Sequence, residues 1–304
     1  MSNQGITTGG PLLAIVGPTA SGKTALALQL AKEHGGEIIC ADSRTIYRGM
    51  DIGTAKPTVA ERAEVPHHLL DIIEPTQSYS AAEFQQAAIA VIEDTHRRQK
   101  LPILVGGTGL YLWAVLYAYR FPAGPSTSLR TELQQLPLAE LVRRLQQVDP
   151  ERAAVIDLRN SRRVIRALET AGQPQIAPKA LSESSYILGL NPGLAELERH
   201  IARRTHQMLT AGLVDEVQGL LARYNPVIPP LNTVGYRETI DFLGDSLGRS
   251  QLEPLINLHT RQLAKRQLTW FKRNPDIHWA ATTSQAKLLA ETFLAMTHSH
   301  DSGQ

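Results

Sequence analysis

Residues 17–24 read Gly17-Pro18-Thr19-Ala20-Ser21-Gly22-Lys23-Thr24 and match the phosphate-binding loop pattern G-x-x-x-x-G-K-[ST] at every fixed position. The apolar run 12–16 before the loop predicts a buried strand, and the run 25–31 after it predicts a helix. A loop in this context presents backbone N–H groups and a helix N-terminus to an anion. Lys23 can reach the outer phosphates, and the Thr24 hydroxyl can ligate Mg²⁺. The pattern, which ATP-binding and other nucleotide-binding proteins share, predicts a bound diphosphate or triphosphate.

Strand and helix signals alternate through the first 120 residues. The strand signals lie at 12–16, 37–41, 67–73 and 102–105, and the helix signals lie at 24–34, 80–99 and 108–118. Such alternation is typical of a parallel sheet with helices on both faces. We therefore expect an α/β fold with a P-loop NTPase-like core, in which Ser78 or Ser80 caps the long helix that begins near Ala81.

The pattern breaks at 121–126, Phe-Pro-Ala-Gly-Pro-Ser, and the segment after it is rich in Leu, Gln and Arg without strand signals. These features predict an inserted all-helical domain at 121–182, with the catalytic core at 1–120 and 183–304. A further strand is predicted at 185–190, followed by helices at 194–209, 213–223, 235–243 and 252–273. The polar tail from His298 is expected to be unstructured.

Composition limits the class of protein. The chain has 304 residues, 42% of them hydrophobic, and a single cysteine, Cys40, in an apolar run that predicts burial. One cysteine excludes an intramolecular disulfide, and no apolar stretch approaches the length of a membrane span. We therefore expect a cytoplasmic protein with no membrane association.

Positive charge is concentrated in two segments although the net charge is only +2. Residues 143–166 contain seven arginines and three acids, and residues 259–273 contain five cations and no acid. In the second segment a helical stripe is predicted to carry Arg261, Lys265, Leu268 and Lys272, with Leu252, Ile256, Leu263 and Trp270 on the core face. Segregated positive charge favours an anionic macromolecular partner.

In the first segment four arginines have helical spacing. Arg159, Arg162, Arg163 and Arg166 are predicted to share one face of a helix, with Val164, Ile165 and Leu168 on the other side. Two interpretations remain open at this point. The stripe binds an RNA phosphate backbone, which explains why no acid stands among the four arginines, or it is a solvated helix face.

The strand at 102–105 lacks the acidic residue that nucleotide hydrolases use to hold Mg²⁺. Glycines of the run Gly106-Gly107-Thr108-Gly109 stand there instead, and Asp71 is a weak substitute. His67 and His68 are adjacent on a predicted strand and would point to opposite faces, so they are not expected to share a metal ion. The sequence therefore favours a small-molecule transferase over a motor or a regulatory GTPase.

Asp42 and Thr108 each follow a predicted strand, where parallel strand ends converge on a ligand crevice. Asp42 could take a proton from an attacking nucleophile, or it could merely cap the turn that contains Ser43. Thr108 could present its hydroxyl to the same crevice, or it could cap the following helix. The residues alone leave both pairs of alternatives open.

Seven ordered motifs over about residues 12–280 resemble the tRNA dimethylallyltransferases, also called tRNA isopentenyltransferases. They are GPTASGKT at 17–24, ADSRTIY at 41–47, MDIGTAKP at 50–57, PHHLLD at 66–71, VGGTGLY at 105–111, RRVIRALE at 162–169 and RQLAKRQLTW at 261–270. The resemblance implies transfer of a dimethylallyl group from dimethylallyl diphosphate to N6 of the adenosine 3′ of the anticodon. It also implies Mg²⁺, and the absence of the eukaryotic zinc-finger extension implies a bacterial-type or organellar enzyme.

The resemblance also assigns site residues. It makes Asp42 the general base, puts Thr108 beside the reacting groups and Arg204, adjacent to Arg203, near the diphosphate, and implies that the enzyme is a monomer. The implied tRNA-binding residues are Asp42, Ser43, Arg44, Thr45, Thr108, Arg130, Arg162, Arg163, Val164, Ile165 and Arg166. Two alternatives stand beside this hypothesis. A P-loop small-molecule kinase would need no arginine-rich helices, and a nucleotide-regulated RNA-binding protein would need neither Asp42 nor Thr108 at the crevice.

Overall fold

The computed structural model of the protein describes residues 10–121, 127–173 and 177–301. Six parallel strands form one sheet in the order β3-β2-β4-β1-β5-β6 within these residues. The strands are β1 (Leu12–Val16), β2 (Gly36–Cys40), β3 (His67–His68), β4 (Leu101–Gly106), β5 (Ser185–Leu190) and β6 (Ile277–Ala280). Because β1, β2 and β4 are buried along their whole length, they are almost continuously apolar, as parallel strands covered on both faces require.

Helices account for most of the remaining structure. They are α1 (Lys23–His34), α2 (Val59–Glu64), α3 (Ala81–Arg97), α4 (Gly109–Leu116), α5 (Thr127–Gln134), α6 (Leu138–Val148), α7 (Pro150–Val155), α8 (Ser161–Glu169), α9 (Leu194–Thr210), α10 (Leu213–Leu221), α11 (Tyr236–Leu243), α12 (Arg249–Phe271) and α13 (Thr283–Asp301). Ser80 caps α3 through a capping box with Glu83, which confirms one of the two predicted caps.

The chain divides into two compact units, Met1–Ala118 with Lys179–Gln304, and Tyr119–Pro178. The first unit contains the whole sheet, whose core on one face joins the strands to α1 and α13. The second unit is helical and encloses its own small core, formed by Leu133, Leu141, Leu145, Ala153, Val164 and Ala167. An α/β core interrupted by a helical insertion is the architecture expected from the sequence.

The structure differs from the sequence predictions at two places in the sheet. The strand predicted at 67–73 is only His67–His68, because Leu69 and Asp71 take positive φ values of 62° and 54° that end the extended conformation. The strand β6 was not predicted. It is short, and its alternation of buried Ile277 with exposed His278 is too brief to be a signal.

The prediction of an unstructured tail from His298 is wrong as far as Asp301, because α13 continues to that residue. This helix was also missed in the sequence. Its buried residues Ala286, Ala290, Phe293 and Leu294 pack into the core that β1, β5 and α1 share. Packing against a partner distant in sequence therefore orders the end of the chain. Among the described residues no helix is both long and apolar enough to span a membrane.

Candidate active site

The phosphate loop connects β1 to α1 through backbone conformations that few residue types adopt. Gly17 and Gly22 have φ values of 153° and 92°, and Gly22 forms the N-cap of α1. A Cβ atom on Gly17 would lie 2.6 Å from the backbone oxygen of Leu190, so a side chain is excluded there. The motif glycines thus turn the chain sharply at the end of a buried strand and leave the N-terminus of α1 free for an anion.

A cavity of about 400 Å³ opens beside this loop at the carboxyl end of the sheet. β1 leads to the loop, β2 leads to Asp42 and β4 leads to Gly107, so the strand order places β4 between the other two. Within the first unit the cavity is lined by these predicted site residues: Thr19, Lys23, Thr24, Asp42, Ser43, Arg44, Thr45, Thr108 and Arg204. The other predicted loop residues, Gly17, Pro18, Ala20, Ser21 and Gly22, shape the loop and do not line the cavity.

Two cations converge on one side of the cavity. Lys23 Nζ donates to the backbone oxygen of Pro18 at 3.0 Å, and the Arg204 guanidinium donates to Thr19 Oγ1 at 3.1 Å and to the backbone oxygen of Thr54 at 3.3 Å. Burial lowers the pKa of Lys23 to about 8, with Asp42 opposing that shift and Arg204 adding to it. Burial also lowers the pKa of Arg204. Two desolvated cations beside a phosphate loop form a site that an anionic ligand would stabilise.

The neighbouring residue Arg203 is exposed, whereas Arg204 lines the cavity. Both follow Ile201 on α9, and residues one position apart on a helix point in different directions. The structure therefore assigns the cavity cation to Arg204, as the sequence analysis expected from the resemblance.

Asp42 and Thr108 line the same cavity, where they follow the carboxyl ends of β2 and β4. Asp42 Oδ1 accepts from the backbone N–H of Arg44 at 2.9 Å, so the carboxylate does cap the turn, yet Asp42 also lines the cavity. Thr108 occupies the N-cap position of α4 without a side-chain capping bond. Its Oγ1 instead accepts from the backbone N–H of Ser43 at 3.0 Å. The hydroxyl thus ties the two strand ends together.

Gln267 on α12 lines the same cavity and was missed by the sequence analysis. Its Oε1 accepts from the backbone N–H of Thr19 at 2.8 Å, and its Nε2 donates to the backbone oxygen of Gly107 at 3.1 Å. A glutamine in a cationic helix gives no sequence signal, because the contacts that matter are 248 and 160 residues away along the chain.

The glycines after β4 are explained by contacts within the protein. A Cβ atom on Gly106 would lie 1.9 Å from the backbone oxygen of Ala41, and one on Gly107 would lie 2.5 Å from Gln267 Nε2. A Cβ atom on Gly109 would lie 2.0 Å from Nε1 of Trp270. These glycines thus allow the chain after β4 to pack closely against Ala41, which follows β2, and against the side chains of Gln267 and Trp270 on α12.

The loop 50–57 forms another wall that the sequence did not predict. Both carboxylate oxygens of Glu216 accept the backbone N–H groups of Asp51, Ile52 and Gly53 at 2.7 to 3.1 Å, and the hydroxyl of Tyr236 donates to the same carboxylate. Burial, with the charge of Glu216, raises the pKa of Tyr236. This clamp fixes the loop whose Thr54 oxygen receives Arg204.

Asp71 and the two histidines lie in structural contacts. Asp71 pairs with the buried Lys56 at 2.5 Å and with Arg62 at 2.9 Å, so it is not the Mg²⁺-binding acid of a hydrolase. His68 Nε2 lies 2.7 Å from Glu37 Oε2, whereas His67 Nδ1 lies 2.8 Å from the backbone oxygen of Val65. The histidines therefore bind different partners, as their adjacency on a strand requires.

The helical unit corrects part of the predicted RNA-binding set. Val164 is fully buried in the core of that unit, so its side chain cannot contact RNA, and Ile165 packs partly against the same core. Arg130 forms a bidentate ion pair with the buried Glu169, through Nε–Oε1 and Nη2–Oε2 distances of 2.6 and 2.9 Å. Arg130 thus has an internal partner while half of its side chain stays exposed, and its RNA contact stays a prediction.

Fewer arginines form an unpaired stripe on α8 than the helical spacing predicted. Arg159 precedes α8 and pairs with Asp157 at 3.1 Å, and Arg166 pairs with Glu169 at 3.3 Å, so acids do relieve two of the four charges. Arg162 and Arg163 are exposed and have no side-chain hydrogen bond or ion pair within the described ranges. The interpretation as an RNA-binding surface is therefore restricted to these two free cations.

The predicted stripe on α12 also changes in detail. Leu268 is buried, whereas Trp270, predicted to face the core, is 39% exposed. Arg261 pairs with Glu198 at 3.4 Å. Arg266 lines the cavity, which the sequence analysis had not assigned to it. The buried positions of this long helix therefore do not form the single straight stripe that the sequence predicted.

Thr24 offers the donor that the predicted Mg²⁺ would need. Its hydroxyl lines the cavity and has no hydrogen-bond partner among the described residues. Mg²⁺ prefers oxygen ligands and usually keeps several waters while it bridges one or two protein oxygens to phosphates. A hydroxyl next to Lys23, in a cavity that Asp42 also lines, fits such an ion.

Comparisons with known proteins agree with this geometry. A family model described as IPP transferase matches residues 45–274. A tRNA dimethylallyltransferase of Synechococcus sp. (strain JA-3-3Ab) is 46% identical over 275 residues, which are 88% of this chain and 81% of the relative.

Solved structures are similar over most of the chain. A tRNA isopentenylpyrophosphate transferase from Bacillus halodurans has a TM-score of 0.72 at 37% identity, with 96% of this chain and 98% of the other covered. A eukaryotic dimethylallyltransferase acting on tRNA has a TM-score of 0.76 at 26% identity, with 89% and 73% covered. The similarity thus includes both units of the chain.

Proposed function

The chain belongs to the IPP transferase family, and from this membership we propose that it is a tRNA dimethylallyltransferase. It transfers a dimethylallyl group from dimethylallyl diphosphate to N6 of the adenosine that follows the anticodon, giving N6-dimethylallyladenosine and diphosphate. The observation that carries the proposal is one cavity lined by Lys23 and Arg204 together with Asp42 and Thr108. We assign the cations beside the phosphate loop to the donor side, and Asp42 and Thr108 at the ends of β2 and β4 to the acceptor side.

The donor side is suited to hold a diphosphate leaving group. Lys23, Arg204 and the N-terminus of α1 together supply positive potential within a largely buried space. As the C1–O bond of the donor breaks, negative charge grows on the diphosphate, and fixed cations stabilise that charge without reorganisation. No hydrolytic acid is needed, which agrees with the absence of an acid at the end of β4.

The acceptor side is suited to activate a weak nucleophile. The lone pair of an adenine N6 is delocalised into the ring, so the amine needs to lose a proton as its bond to C1 forms. Asp42 is the carboxylate placed to take that proton, and the Thr108–Ser43 hydrogen bond fixes the strand end that carries it. The adenine has to leave its stack to enter the cavity, and the cost of flipping is repaid by contacts inside it.

We further propose that Mg²⁺ accompanies the diphosphate and that Thr24 is its protein ligand. When bound, the ion neutralises charge on the leaving group. Thr24 and the backbone of the loop would hold it together with the donor. The free hydroxyl of Thr24 and the oxygen-rich surroundings support this assignment.

Arg162 and Arg163 of the helical unit are proposed to bind tRNA phosphates, because they are exposed cations that form no side-chain hydrogen bond or ion pair with the described residues. A single, buried cysteine supports a cytoplasmic location.

The experiment that tests the function is a transfer assay. The protein is incubated with Mg²⁺, unmodified tRNA and dimethylallyl diphosphate, and the tRNA is digested to nucleosides for mass spectrometry. We expect adenosine to gain one C5H8 unit at the position after the anticodon. A parallel reaction with ATP and small-molecule acceptors tests the kinase alternative, and phosphorylation without prenyl transfer would overturn the proposal.

A further inference from the structure

We propose that Gln267 is a positioning residue that locks the phosphate loop to the acceptor side of the cavity and so couples the binding of the two substrates. The inference builds on the proposed function, because it concerns how that site holds a donor diphosphate and an acceptor base in register. It rests on a continuous hydrogen-bonded path rather than on any contact of Gln267 with a substrate.

The path begins at the donor side. Arg204 donates to the Thr19 side chain, and the backbone N–H of Thr19 donates to Gln267 Oε1 at 2.8 Å. The loop residue nearest to the second cavity cation is therefore held by the glutamine. Whatever moves this part of the loop when a diphosphate binds also moves the Gln267 amide.

The path continues through one peptide group to the acceptor side. Gln267 Nε2 donates to the oxygen of Gly107, and the N–H of the same peptide, on Thr108, donates to the backbone oxygen of Ala41 at 3.3 Å. Ala41 directly precedes Asp42. A rigid peptide plane thus separates the glutamine from the strand end that carries the carboxylate.

The primary amide of Gln267 makes both ends of this connection through separate atoms, Oε1 and Nε2. The Thr19 N–H needs an acceptor and the Gly107 carbonyl needs a donor, so a single orientation of the amide satisfies both, and a flipped amide would satisfy neither. Glycine at 107 is part of the arrangement, because a Cβ atom there would lie 2.5 Å from Gln267 Nε2. No positive φ requires that glycine, so the contact itself is the reason for it.

Buried residues on both sides of Gln267 also fix the position of its helix. Ala264, Leu268 and Phe271 on α12 are buried, which fixes the helix on both sides of residue 267. A side chain on a rigid helix that joins two loops transmits a displacement of one loop to the other. We therefore expect diphosphate and RNA to bind cooperatively, with a coupling in the ordinary range of roughly fivefold or more.

Gln267→Met removes both hydrogen bonds with little loss of side-chain volume, and Gln267→Ala removes the hydrogen bonds together with most of the side chain. Gln262→Ala is the matched control, since Gln262 is exposed on the same helix. The affinity for inorganic diphosphate with Mg²⁺ is measured by calorimetry without and with an anticodon stem-loop RNA. The wild type and the control should bind diphosphate more tightly with RNA, whereas both Gln267 variants should bind it equally in the two conditions.

Single-turnover transfer provides the second measurement. The Gln267 variants should transfer roughly 10- to 100-fold more slowly, while their affinity for diphosphate alone stays within about threefold, because misplacement by about 1 Å costs up to about 10²-fold in rate. Gly107→Ala should slow the wild type similarly by displacing the amide, yet change nothing in the Gln267→Ala background.

Three results would overturn the inference: coupling that persists in both variants, transfer within twofold of the wild type, or an additive Gly107→Ala effect. Thermal unfolding of each variant separates a local effect from a loss of fold. The binding measurement needs no turnover, so it decides the role of Gln267 even if the wild type fails to prenylate tRNA. That failure would overturn the proposed function instead.

Discussion

Arg130 of α5 and Glu169 at the end of α8 form a two-pronged ion pair in which both carboxylate oxygens accept from the guanidinium, at 2.6 and 2.9 Å. The Glu169 side chain has no exposed surface, while that of Arg130 is half exposed. The pair holds two helices of the helical unit together around a buried charge, and it raises the pKa of Arg130. An arginine expected to meet RNA is thereby engaged within the protein.

Replacing Arg130 with Ala should destabilise the helical unit. The buried Glu169 carboxylate would keep only the longer Arg166 contact, and an undercompensated buried charge is costly. Since Arg130 is half exposed, we expect a loss of about 1–3 kcal/mol in the free energy of unfolding, measured in urea. Arg143→Ala, which breaks an exposed pair with Glu140, is the control and should have a smaller effect. Equal losses in the two variants would contradict the prediction.

The double variant Arg162→Ala/Arg163→Ala should weaken tRNA binding and flatten its dependence on salt. Two exposed cations that neutralise two phosphates contribute roughly 1.4 to 1.8 to the magnitude of the slope of log affinity against log salt concentration. Arg159→Ala should have less effect because Asp157 already neutralises that charge. The measurement is tRNA affinity at several salt concentrations. An unchanged slope in the double variant would show that these arginines are only a solvated helix face.

Asp42→Asn should slow transfer by roughly 10²–10⁴-fold, the usual contribution of a general base. The amide oxygen can still accept from the Arg44 N–H, so the turn at the end of β2 is expected to persist. Inorganic diphosphate should still bind. The readout is the single-turnover rate together with diphosphate affinity, and a rate near that of the wild type would remove Asp42 from the mechanism.

Binding of inorganic diphosphate should weaken as the pH rises above about 8. The pKa of Lys23 in the free protein is about 8, so the ammonium is charged below that pH and loses its proton above it. An anion favours the charged form, and affinity should fall by up to about tenfold per pH unit. In the Lys23→Ala variant, the affinity for diphosphate should depend on pH only through the other titratable groups and the ligand itself. If the two proteins show parallel pH profiles, Lys23 does not titrate in this range.

Cys40 should resist thiol reagents until the protein unfolds. Burial, reinforced by the charge of Asp42, raises the pKa of the thiol to about 12, so at pH 8 only roughly one molecule in 10⁴ carries a thiolate. In urea the pKa returns toward its ordinary value and modification should be fast. The rate of reaction with a disulfide reagent, with and without urea, checks this, and rapid labelling of the folded protein would contradict it.

Much of the fold could be predicted because its signals are local. The apolar runs at 12–16 and 185–190 and the capping pattern at Ser80 act over a few residues, so the sequence indicates them directly. The strand at 67–73 was overestimated, since positive φ at Leu69 and Asp71 follows from a turn tied to other parts of the chain. The last helix was missed because its order depends on packing against β5 and α1.

The site, like the fold, has parts that local sequence signals predict and parts that depend on packing between distant segments. The sequence by itself determined the phosphate loop with Lys23, because a strand followed by a fixed spacing of glycines and a lysine specifies both local backbone and chemistry. It placed Asp42 and Thr108 at predicted strand ends and left their roles open. Only the tertiary structure decided that Arg204 rather than Arg203 lines the cavity and that Gln267 joins Thr19 to Gly107. It also decided that Val164 is buried in the helical unit and that Arg130 pairs with the buried Glu169. The physical reason is distance along the chain: burial, ion pairing and hydrogen bonding between remote segments depend on how helices and strands pack, which no local pattern of residues records.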